Sequence, residues 1–169
     1  MATLLAKKGY GQIEPNHLSA QRNGQIYAQL PCANSMETLE NASFVKYDYA
    51  NNQCSLNGEG EWMLVYNEVK LYDPRHSNKD FVYRKADFTD KKMYPRVMKT
   101  MPGDIFTTNL VDNGSKGVDL AVKDKLTVST STGVLTYNDS PDSEAMIWQV
   151  VKVYTLADGQ KAVKVQRIK

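Results

Sequence analysis

The residues of this chain that could bind a metal or act as nucleophiles are few and widely spaced. There are two histidines, His17 and His76, and two cysteines, Cys32 and Cys54. No Cys-x-x-Cys or His-x-x-x-His pair occurs, and structural zinc sites are built from such closely spaced pairs. We therefore expect no metal site. The histidines are predicted to lie in solvated loops, and the cysteines are predicted to be free thiols, as is usual in the cytosol.

Acidic residues and glycine-rich motifs give an equally weak signal for catalysis. Glu59, Glu61 and Glu68 could pair across a cleft, as the two carboxyl groups of glycosidases do, but nothing beyond their presence supports this. The sequence has no Gly-x-Ser-x-Gly elbow and no phosphate-binding glycine-rich loop. A Ser-His-Asp triad stays open, because its members can be scattered along a chain. We expect a protein that is not an enzyme and binds no cofactor.

Charge and composition narrow the classes of partner. The 169 residues include 21 basic and 19 acidic ones, which gives a formal net charge of +2 with both signs interspersed. Nucleic-acid-binding surfaces concentrate positive charge in a patch or stripe, and no run here approaches the ~20 apolar residues of a membrane-spanning helix. The first residues have too short an apolar core for a secretory signal. We expect synthesis in the cytoplasm, with neither nucleic acid nor membrane as a partner.

The stretch 61–72 predicts the strand around which the chain folds. Read with a period of two, Met63 and Val65 fall on one face, and Trp62 and Leu64 fall on the other. A strand that is apolar on both faces is buried on both. It therefore needs neighbouring strands and a covering layer on each side.

Short apolar segments in the second half of the chain favour the same kind of fold. Turn-forming residues separate them, and the predicted strands are 105–110, 120–122, 125–128 and 134–137. An Asp158-Gly159 turn predicts a C-terminal hairpin between 146–156 and 161–168. Its predicted register sets Tyr154 opposite Val163, and its predicted core face is Trp148, Val150, Tyr154, Leu156, Val163 and Val165.

These segments predict an all-β fold, mainly antiparallel, arranged as one or two small barrels or a sandwich with little helix. Glycines and prolines interrupt sparse apolar residues over 1–35, which predicts an extended N-terminal arm. Residues 36–169 then form the β domain, either as one unit or as two subdomains at about 36–100 and 101–169. A short helical turn is predicted over 35–40, with Ser35 as its cap.

Several sequence blocks, taken together, resemble a known class of protein. They include Gly9-Tyr10-Gly11-Gln12-Ile13-Glu14-Pro15 and its continuation to 21, with 24–31, 44–49, 60–73, 103–109 and 148–168. These blocks resemble small virion structural proteins of tailed bacteriophages, of the kind encoded beside the major capsid protein. The resemblance carries no catalytic signature. It implies a virion protein on the outside of the capsid that decorates or stabilises the shell by bridging subunits of the major capsid protein, with self-association as a further contact.

Under that resemblance the N-terminal arm is the expected contact with the shell. Its backbone would add a strand to a neighbour's sheet edge, and a few side chains would dominate the contact. The candidates are Tyr10, Ile13, Leu18, Arg22, Ile26 and Tyr27. The alternative for each is packing against its own body. A second function also stays open, because ten tyrosines and the turns would suit a carbohydrate- or host-binding attachment module of a head fibre or tail.

Overall fold

The computed structural model describes residues 9–14, 30–67, 82–156 and 159–169, and there the chain is all-β, as predicted. Its strands form sheets of seven, four and two strands. The strands are β1 (Ile13–Glu14), β2 (Thr38–Glu40), β3 (Phe44–Asp48), β4 (Gln53–Ser55), β5 (Glu59–Val65), β6 (Val82–Arg84), β7 (Val97–Met98), β8 (Ile105–Thr108), β9 (Val111–Asp112), β10 (Lys125–Val128), β11 (Leu135–Tyr137), β12 (Trp148–Thr155) and β13 (Lys161–Arg167). In these ranges the helices are 3₁₀ turns at Lys85–Asp87, Gly114–Lys116 and Pro141–Ser143.

The seven-stranded sheet is curled into part of a barrel. Its strand order is β1-β8-β13-β12-β10-β11-β9, and its pairs are antiparallel apart from the parallel pair β11–β9. Strand β8 is second in that order and β9 is last, yet only Asn109 and Leu110 separate them in the chain. The three Cα–Cα steps from Thr108 to Val111 span about 11 Å at most. The sheet must therefore bend until its two ends come close together.

The four-stranded sheet, in the order β4-β3-β5-β7, is buried on both faces. As predicted for β5, Trp62 and Leu64 point to one core, whereas Met63 and Val65 point to another. We call the first the aromatic core, because it is built around Phe44, Phe106 and Trp148. The second core comprises Cys32, Leu39, Val45, Tyr47, Cys54, Met63, Val65, Met93 and Val97.

The aromatic core joins the two large sheets. Phe44 belongs to the four-stranded sheet, and Phe106 and Trp148 belong to the seven-stranded one. The ring centroids of Phe106 and Trp148 are 4.9 Å apart at 78°, and those of Phe44 and Trp148 are 5.9 Å apart at 61°. Edge-to-face packing of this kind is favourable for aromatic pairs. The chain passes from the four-stranded sheet to the seven-stranded sheet near residue 100, between β7 and β8. The residues before and after that point share the aromatic core.

Two predicted local elements are wrong. The turn predicted as helical over 35–40 contains strand β2, because Leu39 is buried and its backbone pairs with Tyr83 of β6. The strand predicted over 120–122 is a loop, although Leu120 is buried. The backbone there turns sharply, with the Asp124 amide donating to the Ala121 carbonyl.

The C-terminal hairpin is present with a different register. Tyr154 lies opposite Ala162, and Val153 lies opposite Val163, one residue away from the predicted pairing. The register then shifts again between Val150 and Lys152, where the strand is irregular. A bulge changes which side chains face the core. Trp148 and Val150 are therefore buried as predicted, whereas Tyr154 is only half-buried.

Candidate partner-binding surface

Residues 9–14, predicted as part of an arm, are integrated into the body. Strand β1 is the edge strand of the seven-stranded sheet, with Ile13 opposite Thr108. Gly11 passes so close to β2 that a Cβ there would lie 2.4 Å from the Asn41 carbonyl oxygen. Sequence periodicity could not reveal this, because the segment contributes only two residues to a ladder.

Buried amides fix the segment in place. The backbone amide of Gln12 donates to Oδ1 of Asn109 over 2.7 Å, and Nδ2 of Asn109 donates to Oε1 of Gln160 over 3.1 Å. All three residues are more than nine-tenths buried. Asn109 lies in the connection between β8 and β9. Buried amide groups are costly unless they are hydrogen-bonded. This cluster therefore holds Gln12 against the connection between β8 and β9, where the sheet curls.

The structure places two of the six predicted contact residues. Ile13 is 3% exposed and belongs to the aromatic core, so it packs against its own body, which is the alternative to a partner contact. Tyr10 is half-buried; the Arg84 guanidinium donates to its hydroxyl and lies 5.4 Å from its ring centroid. The other four candidates, Leu18, Arg22, Ile26 and Tyr27, lie outside the described residues.

A shallow apolar groove runs beside β12, and we call it the β12 groove. Its volume is about 160 Å³, and it is lined by Asp119, Leu120, Val153, Tyr154, Thr155, Lys161 and Val163. Val153 is 41% exposed, and in the loop that contributes Asp119 and Leu120 the side chains of Val118 and Val122 are 61% and 55% exposed. Nζ of Lys161 pairs with Oδ2 of Asp119 over 2.6 Å. The surface is thus apolar with an ion pair on its rim, as protein contact surfaces often are.

Nothing in the periodicity predicts this groove. Its loop was predicted as a strand over 120–122, and the predicted hairpin register turned Tyr154 to the core and Val153 away from it. The useful signal would have been three valines in polar surroundings, at 118, 122 and 153, but valines are equally common in buried strands.

Tyr154 links the groove to β1. Its hydroxyl donates to Oε2 of Glu14 over 2.9 Å. Burial raises the pKa of the Tyr154 phenol above its ordinary value; a hydrogen bond with Thr107 opposes this, and the bond to Glu14 and the charge of that carboxylate add to it. Glu14 is the last described residue before 15–29, so the groove adjoins the end of β1.

This bond gives a pH-dependent prediction. Replacing Tyr154 by phenylalanine should lower the free energy of unfolding by about 0.5–1.5 kcal/mol at neutral pH. The raised pKa means that the folded chain holds the phenol proton more tightly than the unfolded chain does, so this contribution is complete below about pH 10 and is lost as the pH rises through the folded-state pKa. Urea titrations of both proteins over that range should show the difference narrowing. A difference that widened with pH would contradict the assignment.

The structure describes only Glu59 and Glu61 among the residues considered as catalytic acids, bases or histidines. His17, His76 and Glu68 lie outside the described residues, and Glu59 and Glu61 are exposed on β5, where Glu61 pairs with Lys99 over 3.2 Å. Cys32 and Cys54 are free thiols, as predicted, and both are buried in the second core. In the parts of the chain that the structure describes, no three His, Cys, Asp or Glu side chains form a group that could hold a metal ion. Nor do those parts contain a helix long and apolar enough to span a membrane.

A second groove, of about 170 Å³, contains the exposed edge of Trp62 together with Lys46, Glu61, Glu144 and Arg167. A tryptophan in a groove can stack on a sugar, but Trp62 is only 9% exposed. Nζ of Lys46 also lies over its ring, 4.7 Å from the centroid. The ring face that a sugar would need is therefore covered.

Comparison of the chain with protein-family models, curated proteins and solved structures finds no match. Fold and surface together define an all-β protein whose two larger sheets share a core and which carries an apolar groove next to strand β1.

Proposed function

We propose that this chain is a non-enzymatic structural protein of a tailed-bacteriophage virion, which binds the outside of the capsid and stabilises it by bridging major capsid protein subunits. The sequence blocks quoted above support the class, through their resemblance to such virion proteins. Three of those blocks, 44–49, 103–109 and 148–168, contain β3, β8 and the hairpin β12–β13. The resemblance therefore concerns residues that build the sheets.

The observation that carries the proposal is the continuity of the β12 groove with the N-terminal segment. The groove-lining Tyr154 holds Glu14 through its hydroxyl. The candidates Leu18, Arg22, Ile26 and Tyr27 follow Glu14 in sequence, and the proposal assigns them to the same contact. Stable contacts bury about 1,600 Å² in total. The seven residues that line the groove supply only part of that area, and the proposal assigns the remainder to residues 15–29.

The location of β1 changes how the arm should act. A strand added to a neighbour's sheet edge was expected from residues 1–35, but β1 already occupies the edge of its own sheet beside β8. The proposed shell contact therefore uses side chains of 15–29 and the groove, and leaves β1 in place. Deleting residues 1–30 would remove Ile13 from the aromatic core, so the segment is better tested by substitution in the full chain.

The test is binding to shells that lack the protein. Purified chain is titrated against undecorated capsids of the phage that encodes it, and bound protein is pelleted and quantified. Val153→Glu should raise the Kd on the order of tenfold or more, because it places a charge in an apolar contact. Substituting Leu18, Arg22, Ile26 and Tyr27 together by serine should do the same.

Met101→Glu is the matched control. Met101 is 51% exposed, and its loop contacts the far end of β13, where Gly103 donates to the Arg167 carbonyl, whereas the groove adjoins Lys161 at the beginning of that strand. This variant should bind shells as the unaltered chain does. Wild-type protein that stays in the supernatant at all concentrations would refute the proposed function, and equal loss in both glutamate variants would refute the role of the groove.

A further inference from the structure

Cys32 and Cys54 meet in the second core although 22 positions separate them in the chain. Their Sγ atoms are 3.5 Å apart. Residues 31–33 run parallel to β4 at this point, with the Cys54 amide donating to the Pro31 carbonyl and the Ala33 amide donating to the Cys54 carbonyl, each over 2.8 Å. Backbone hydrogen bonds on both sides of Cys54 thus fix the two residues side by side.

The spacing of two bridged strands is compatible with a disulfide. Paired residues on neighbouring strands have backbones about 4.8 Å apart, which lies inside the Cα separation of roughly 4.4–6.8 Å that disulfides need. The sulfur atoms must approach each other from 3.5 Å to about 2.05 Å. Rotation about the two Cα–Cβ bonds can supply that movement without displacing the strands.

We propose that Cys32 and Cys54 are a redox modification site, at which a low-molecular-weight disulfide oxidises the pair to an intramolecular disulfide. The Cys32 thiolate attacks the oxidant, forms a mixed disulfide and releases one small thiolate. The Cys54 thiolate then attacks the Cys32 sulfur and releases the second. Two protein thiols are oxidised, one small disulfide is reduced to two thiols, and the two cysteine protons pass to the released thiolates.

The order of the two attacks follows from exposure. Cys32 is 7% exposed, whereas Cys54 is completely buried, so an oxidant reaches Cys32 first. The hydrogen bond to Cys54, together with burial, raises the pKa of the Cys32 thiol well above its ordinary value. The raised pKa slows the first attack in the native chain, because the thiolate is the nucleophile.

The cross-link would change the stability of the chain. It would tie residues 30–33 covalently to β4 and close the loop between positions 32 and 54, which restricts the unfolded chain. For a loop of this size and a chain of this length, the oxidised protein should melt roughly 5–12 °C above the reduced one. The proposal does not depend on the capsid role, and shell binding plays no part in its test.

The test uses the full chain in two arms. In one, native protein is incubated with oxidised glutathione. In the other, denatured and reduced protein is refolded in a mixture of reduced and oxidised glutathione, so that burial cannot block access. Both are then denatured and treated with N-ethylmaleimide. The expected product carries no maleimide, has an intact mass lower by two hydrogen atoms, runs as a monomer without reductant and shows the higher melting temperature.

Cys32→Ala and Cys54→Ala are the controls. Neither can lose two hydrogen atoms: each should take up one maleimide or carry one mixed disulfide with glutathione, and neither should gain melting temperature from the oxidant. The proposal is overturned if the unaltered chain takes up two maleimides in both arms, or if its oxidised form consists of disulfide-linked dimers.

Discussion

Replacing Trp148 by alanine is expected to lower the free energy of unfolding by about 3–5 kcal/mol. The side chain is fully buried and packs edge-on against Phe44 and Phe106. Because these neighbours belong to different sheets, the cavity left behind can close only if the sheets shift together. The loss is a large part of the ~5–15 kcal/mol that a typical domain has in total.

Equilibrium unfolding in urea, followed by far-UV circular dichroism, measures this loss. Trp148→Phe is the matched comparison, since it keeps an aromatic ring in place. It also removes Nε1 of Trp148, which is buried and has no hydrogen-bond partner among the described residues. The phenylalanine variant should therefore lose clearly less than the alanine variant. A loss below about 1 kcal/mol for Trp148→Ala would be typical of a surface site and would show that the residue does not join the two sheets.

The central strand was predictable because each of its residues carries the signal independently. All four residues at its end are apolar: Trp62, Met63, Leu64 and Val65. A strand with apolar side chains on both faces can bury them only if a core lies on each side. The structure supplies those two cores. The sheet partners of β5 were not predictable, since β3 and β7 meet it from both directions along the chain.

The hairpin shows where local pattern stops being sufficient. The turn was located correctly, but pairing differs by one residue at Tyr154, and the strand is irregular between Val150 and Lys152. A bulge cannot be recognised from the alternation of apolar residues, because it shifts the inward-facing positions by one residue. The half-buried position of Tyr154, and with it the β12 groove, follows from that irregularity.

The integration of residues 9–14 into the body was not predictable for a related reason. Few apolar residues and several glycines are typical of an arm, but Gly11 is required where the chain passes Asn41 at close range, and Ile13 enters the aromatic core. The polar cluster of Gln12, Asn109 and Gln160 binds residues that are distant in sequence. Such contacts depend on tertiary structure and have no sequence period.

Among the glycines that the structure describes, Gly133 combines a left-handed backbone with a 2.4 Å approach of its added Cβ to another strand. It lies in the turn between β10 and β11 of the seven-stranded sheet, and its carbonyl accepts the Phe44 amide of β3 over 2.7 Å. A Cβ there would lie 2.4 Å from the Phe44 carbonyl oxygen and 2.9 Å from Cδ2 of Leu56. The turn therefore contacts the four-stranded sheet at a point with no space for a side chain.

Gly133→Ala is expected to lower the free energy of unfolding by about 2–5 kcal/mol, because the left-handed backbone and the clash both oppose the substitution. Gly117→Ala separates the two causes. Its φ is +71° against +70° at Gly133, but no atom lies within 4 Å of its added Cβ. It should lose only about 1–2 kcal/mol, the cost of the backbone conformation alone. Urea titrations of the two variants decide the matter, and equal losses would mean that the turn does not press against β3.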